Sequence, residues 1–142
     1  MSKEATHYRN QVIDRLKAAG VTPTQQRVEI AQILFRQPQH LSAEQVLSEV
    51  NVQSAMVSKA TVYNTLGLFA EKGLVREVIV DPTKVFYDSN IAEHHHFYNV
   101  DTGRLTDIDP TSVKVEALPQ LPDGTVADGV DVIIRVRESS PN

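Results

Sequence analysis

Between residues 58 and 88 the chain places a helical segment with a polar front directly before two alternating runs, an order that few folds accept. Ser58 is a suitable helix N-cap. The segment from Lys59 to Lys72 carries Val62, Leu66 and Phe69 at helical spacing and ends at Gly73, where a left-handed cap is wanted. Leu74 to Val80 and Lys84 to Asp88 then read as strands, separated by a turn at Asp81-Pro82-Thr83. Three helical patterns precede this block. Ala5 to Ala18 carries Val12, Ile13 and Leu16 and stops before Gly20. Thr22-Pro23-Thr24 opens a second pattern with Val28, Ile30, Ala31, Ile33, Leu34 and Phe35, which stops before Pro38. Ser42 and Gln45 form a capping-box pair ahead of Val46, Leu47 and Val50. Helices, a polar-fronted helix and a hairpin in this order predict a winged helix-turn-helix over residues 1–89.

From residue 90 the pattern turns to strands. His96 to Val100 and Arg104 to Ile108 flank a turn at Asp101-Thr102-Gly103. A short helix is expected over Thr111 to Leu118, and Pro119, Pro122 and Asp123-Gly124 read as loop. A last strand is expected over Val130 to Val136, where apolar and charged residues alternate in part. The chain is therefore expected to be α+β, an N-terminal winged helix-turn-helix followed by a small α/β domain over residues 90–142.

Composition narrows the chemistry. The formal net charge is -4, but residues 1–80 hold nine Lys/Arg against seven Asp/Glu and residues 81–142 five against eleven. A local basic face suffices for phosphate contact. There is no cysteine, which excludes disulfides, thiolate nucleophiles and Cys-based zinc sites, so any metal sits on His, Asp, Glu or Tyr. No apolar run approaches a membrane span and the N-terminus lacks the pattern of a secretory signal, so a cytoplasmic protein with no membrane partner is expected.

Two constellations carry function. Lys59, Thr61, Tyr63, Asn64 and Thr65 lie at the front of the fourth helix, and such a front can enter a major groove. Asn is suited to a bidentate pair with adenine, and Tyr63 to contact with a thymine methyl. Arg15, Lys17 and Arg27 are candidates for phosphate contact; a solvated helix face is the competing reading. The second constellation is His94-His95-His96. In an extended segment His94 and His96 share one face and His95 takes the other, so two imidazoles can share an ion. Further ligands are sought among His40, Tyr87, Asp88 and Asp107. Imidazole and carboxylate without sulfur suit Fe2+, Mn2+, Zn2+ or Co2+ alike.

Thr22-Pro23-Thr24-Gln25-Gln26-Arg27, His40-Leu41-Ser42-Ala43-Glu44, Ala60-Thr61-Val62-Tyr63, Val85-Phe86-Tyr87-Asp88 and His94-His95-His96 together resemble, in order and spacing, the signature of the ferric uptake regulator superfamily over nearly the whole chain. Asn64 after Ala-Thr-Val-Tyr and the triplet before Phe97-Tyr98 look like its iron response regulator branch, which senses haem status. The resemblance implies a homodimer, with a tetramer on long operators as an option. It also implies binding of AT-rich inverted repeats in double-stranded DNA near promoters, with Tyr63 and Asn64 on bases. It implies a regulatory metal site joining the two domains on His40, His94, His96 and either Asp88 or Tyr87, with Asp107 matching a further acidic ligand of the peroxide-sensing relatives. The triplet His94, His95 and His96 matches the proposed haem site of the haem-sensing branch.

Two departures matter. The positions of a cysteine pair that usually holds structural zinc are Asn99 and Thr102 here, so that site is expected to be absent, and no Cys-Pro haem motif is present. The implied function is a transcriptional regulator, mainly a repressor, of iron and haem homeostasis genes, in which ligation acts as a clasp across a hinge and sets the spacing of two recognition helices. The alternatives are a manganese- or peroxide-sensing regulator of the same superfamily, a small His/carboxylate metalloenzyme, and a constitutive DNA-binding module. An enzyme is not expected, because Thr61-Val62-Tyr63-Asn64 on a helix front has no role in one.

Overall fold

Each N-terminal helix begins on a side chain that satisfies an otherwise orphaned amide. In the computed structural model, which describes residues 2–53 and 57–140, Ser2 accepts from Ala5 N at 3.0 Å and opens α1 (Lys3–Ala18). Thr24 accepts from Arg27 N and opens α2 (Gln25–Phe35). The capping box forms as the sequence predicts: Gln45 N donates to Ser42 Oγ at 3.2 Å and Ser42 N to Gln45 Oε1 at 2.8 Å, ahead of α3 (Ala43–Gln53). Ser58 Oγ accepts from Thr61 N at 3.1 Å and opens α4 (Lys59–Glu71), which is followed by Gly73 at φ 74°. The apolar stripes of these helices meet in one core whose fully buried members include Leu16, Ile30, Ile33, Leu34, Val46, Val50, Val62, Leu66 and Phe69. Each such side chain contributes roughly 1.5–3 kcal/mol through burial.

A three-stranded antiparallel sheet completes this unit, which spans Met1–Ile91. Its strands are β1 (His40–Ser42), β2 (Arg76–Asp81) and β3 (Lys84–Asp88), in the order β1-β3-β2. β1 lies outside the sequence expectation, because three residues are too few to show a period of two. It pairs His40 with Asp88 and Leu41 with Tyr87.

The second unit, Ala92–Asn142, holds a separate three-stranded sheet of β4 (His95–Asn99), β5 (Leu105–Ile108) and β6 (Ile133–Val136), in the order β5-β4-β6. β4 runs antiparallel to β5 and parallel to β6. The chain as a whole is α+β. The helix expected over Thr111 to Leu118 does not form. Asp109 Oδ1 accepts from Thr111 N at 2.9 Å and from its hydroxyl at 2.8 Å, a local turn that competes with a helix start, and Pro119 denies a continuation. The last strand is also shorter than expected, beginning at Ile133 and not at Val130. Among the described residues no helix is long and apolar enough to cross a membrane.

Candidate metal centre and nucleic-acid face

β4 and β5 bring His96 opposite Asp107 in register, and period-two alternation puts His94 on the same side as His96. The two imidazole centroids are 4.5 Å apart. His94 Nε2 lies 3.5 Å and His96 Nε2 3.3 Å from Asp107 Oδ1, and the three groups offer ligand atoms within 4.8 Å of one another. Ligand atoms bound at about 2.1 Å and tetrahedral angles are about 3.4 Å apart, so the spacing fits one small divalent ion. Both imidazoles are buried, while the Asp107 side chain is 54% exposed and leaves an approach from solvent.

Hydrogen bonding sets the character of two of the rings. His94 Nδ1 lies 2.6 Å from the Ala92 carbonyl oxygen, which can only accept, so the hydrogen is on Nδ1 and the neutral ring keeps its lone pair on Nε2. That lone pair faces a carboxylate oxygen, so the two atoms can serve as ligands to one cation. A second-shell carbonyl on the far nitrogen is the usual way a ligating imidazole is oriented. His95 is arranged in the opposite sense. Its Nδ1 accepts from Val132 N at 2.9 Å, which places the neutral ring's hydrogen on Nε2 and ties residue 132, just ahead of β6, to β4. His95 is therefore a strut, and its Nε2 has no lone pair to offer an iron in that tautomer. His94 and His96 are both buried.

The first unit holds the other expected ligands. His40 and Asp88 are register partners on β1 and β3, and Asp88 is 1% exposed. Tyr87 faces the opposite way, into the winged-helix core. Burial, then the charges of Glu77 and Glu44, push its phenol above its ordinary pKa. Of the two alternatives at the end of β3, Tyr87 thus packs as a core residue, and Asp88 is buried beside it.

Positions Asn99 and Thr102 are occupied by a turn in place of a cysteine pair. Asn99 Oδ1 accepts from Asp101 N at 2.9 Å and Thr102 N at 3.1 Å, and Gly103 takes the positive φ of 74°. Asn99 Nδ2 donates to Glu138 Oε1 at 2.9 Å and Glu138 N donates to Asp101 Oδ2 at 2.8 Å. Hydrogen bonds, in a chain without cysteine, fasten the segment after β6 to the β4–β5 hairpin.

On α4 the exposed positions are Lys59, Ala60, Tyr63, Asn64, Gly67 and Glu71, one continuous stripe. Thr61 is half-buried and accepts from the Ser58 hydroxyl at 2.9 Å. Thr65 is 5% exposed and faces the core, so it is corrected from groove contact to core residue. Arg15 and Lys17 are exposed in the last turn of α1, with the Arg15 guanidinium 3.9 Å from the Phe35 ring centroid. Arg27 is half-buried and spends Nη1 on the Thr22 carbonyl at 2.9 Å. Tyr63 donates its hydroxyl hydrogen to Glu44 on α3, and the Lys59 ammonium lies 5.7 Å from the Tyr63 ring centroid. The hydrogen bond from Tyr63 holds the Glu44 carboxyl below its ordinary pKa, helped by Lys59 and Lys84, and the same bond raises the Tyr63 phenol. Glu44, Ala60 and Gly67 were not singled out as site residues from the sequence. The signal for the two small ones was available, because their spacing with Tyr63 and Asn64 is helical.

Residues 18–122 match the Ferric uptake regulator family. The chain is 30% identical over 103 residues to the peroxide operon regulator of Bacillus subtilis, covering 72% of this chain and 71% of that one. It is 30% identical over 115 residues to the peroxide-responsive repressor PerR of Staphylococcus epidermidis, covering 80% and 77%. The solved structure of the ferric uptake regulator from Pseudomonas aeruginosa with manganese matches with a TM-score of 0.66 at 25% identity, over 89% of this chain and 97% of that one. With the winged helix, the His/Asp metal-binding group and these matches in agreement, the chain belongs to the ferric uptake regulator family.

Proposed function

We propose that this chain is a cytoplasmic, homodimeric transcriptional regulator that binds AT-rich inverted repeats in double-stranded DNA under control of a divalent metal ion. The observation that carries the reading is the convergence of His94 Nε2, His96 Nε2 and Asp107 Oδ1 at ligand spacing, in a chain whose other unit is a winged helix with an exposed Tyr63-Asn64 front. We add Asp88 and His40 to the ligand set on the family resemblance; both belong to the first unit, and Asp88 closes β3 six residues before His94. A hard or borderline ion such as Mn2+, Fe2+ or Zn2+ suits nitrogen and oxygen donors, and the Pseudomonas aeruginosa relative was solved with manganese. Ligation alters DNA affinity only to the extent that the ion prefers the DNA-competent state. Haem as effector is disfavoured by the His95 tautomer and the buried His94 and His96.

Fluorescence anisotropy on an AT-rich inverted repeat at fixed salt, with chelator, Mn2+, Fe2+ or haemin, tests the reading. Binding tightened by the ion and lost with His94→Ala and Asp107→Asn supports it; a haemin response that survives His94→Ala and His96→Ala opposes it. The names of the relatives favour a second reading, a peroxide-responsive repressor that uses the same ligands. Mass spectrometry after iron and peroxide separates the two. An added oxygen on His40 or His94 supports peroxide sensing, and unmodified histidines oppose it.

A further inference from the structure

We propose that Glu44 is a positioning residue for base reading: it holds the Tyr63 ring at a fixed place on the exposed stripe of α4, so that Tyr63 meets a thymine methyl through its ring and not through its hydroxyl. The inference rests on the DNA-reading role proposed above for α4.

Tyr63 is 38% exposed, so packing alone leaves its ring a choice of rotamers unless its far end is held. A phenol has one hydrogen to give, and Tyr63 gives it to Glu44. What the residue then offers to a groove is its ring, an apolar surface matched to the C5-methyl of thymine. Glu44 stands in the first turn of α3, so the ring's place is set by the packing of α3 against α4 and not by α4 alone. The helix start does not need Glu44, because Ser42 and Gln45 cap it. A carboxylate on a face that meets a polyanion is unfavourable unless compensated. Lys59 and Lys84 both act on it to keep it ionised, which leaves a strong, charge-assisted acceptor for the phenol.

The test uses the full-length chain with Mn2+ and the tightest duplex it selects from a random-sequence pool. Thymines are replaced one at a time by deoxyuridine, which removes only the methyl, and affinity is read by anisotropy at fixed salt. The wild type is expected to lose about five- to tenfold at one thymine per half-site. Glu44→Gln, which keeps an acceptor oxygen, retains that penalty. Glu44→Ala and Tyr63→Phe reduce it to within about twofold, and Tyr63→Phe keeps the wild-type salt dependence. Circular dichroism confirms that each variant is folded.

A full penalty in Glu44→Ala, no penalty in the wild type, or equal loss in Glu44→Gln and Glu44→Ala overturns the inference while DNA binding stands. A wild type that selects no duplex overturns the DNA-reading role and the inference with it.

Discussion

The Ala92 carbonyl decides what His94 can do. By holding a hydrogen on Nδ1 it leaves the Nε2 lone pair as a ligand atom beside Asp107, while the Val132 amide commits His95 to the opposite tautomer. Removing a first ligand is expected to cost at least as much as the tenfold to hundredfold typical of second-shell losses. His96→Ala should therefore weaken Mn2+ binding by about a hundredfold or more in isothermal titration, whereas His95→Ala should leave it within a few fold. Glu44 supplies a pH test. Its folded pKa is depressed, first by the Tyr63 hydrogen bond, so its contribution is complete above the usual glutamate pKa and is lost as pH falls through the lower folded value. In Tyr63→Phe the Glu44 carboxyl, followed by NMR, should titrate at higher pH than in the wild type. That His94 and His96 share a face was legible from the period of two. That Thr65 and Tyr87 are buried was not legible, because a motif fixes residue type and spacing, while the rotation of α4 and the pleat of β3 decide which side chain reaches the surface.

At the scale of elements, α4 is tuned for its exposed stripe at some expense in stability. Gly67 lies in mid-helix, a Cβ built there meets nothing within 4 Å, and glycine weakens a helix interior by roughly 0.5–1 kcal/mol relative to alanine. Gly67→Ala is thus expected to raise stability by about that amount in urea denaturation, since no neighbour in the unit requires the glycine. The β4–β5 hairpin depends on Asn99. Deleting its amide leaves two turn amides and Glu138 without their partner, and Asn99→Ala should cost roughly 1–2 kcal/mol in the same assay. The four helices and the wing were legible because each carries a cap at one end and an apolar stripe between. β1 was not, since three residues show no period and its partner β3 lies more than forty residues on. Residues 111–118, where a short helix is expected, misled for a different reason: the Asp109 turn and Pro119 leave no room for one.

Across the whole molecule, charge is divided in the way a DNA-binding regulator needs. Residues 1–80 carry nine basic against seven acidic groups, and residues 81–142 five against eleven. The sum of -4 conceals a winged-helix half able to approach phosphates. A dimer is expected in sedimentation equilibrium, at twice the 15.8 kDa of one chain, and mutation of Lys59 should reduce the salt dependence of DNA binding, by about one unit of slope. The identity of the effector was the least legible part of the sequence, because imidazole and carboxylate ligands are shared by several ions and by rival sensing chemistries. The most direct test of metal control is the affinity for an AT-rich inverted repeat with Mn2+ and with chelator, in the wild type and in His96→Ala. The account predicts that Mn2+ tightens wild-type binding by about tenfold or more and has no effect on the variant, which binds like the chelated wild type. Equal wild-type affinity in both conditions, or an undiminished Mn2+ response in His96→Ala, would contradict it.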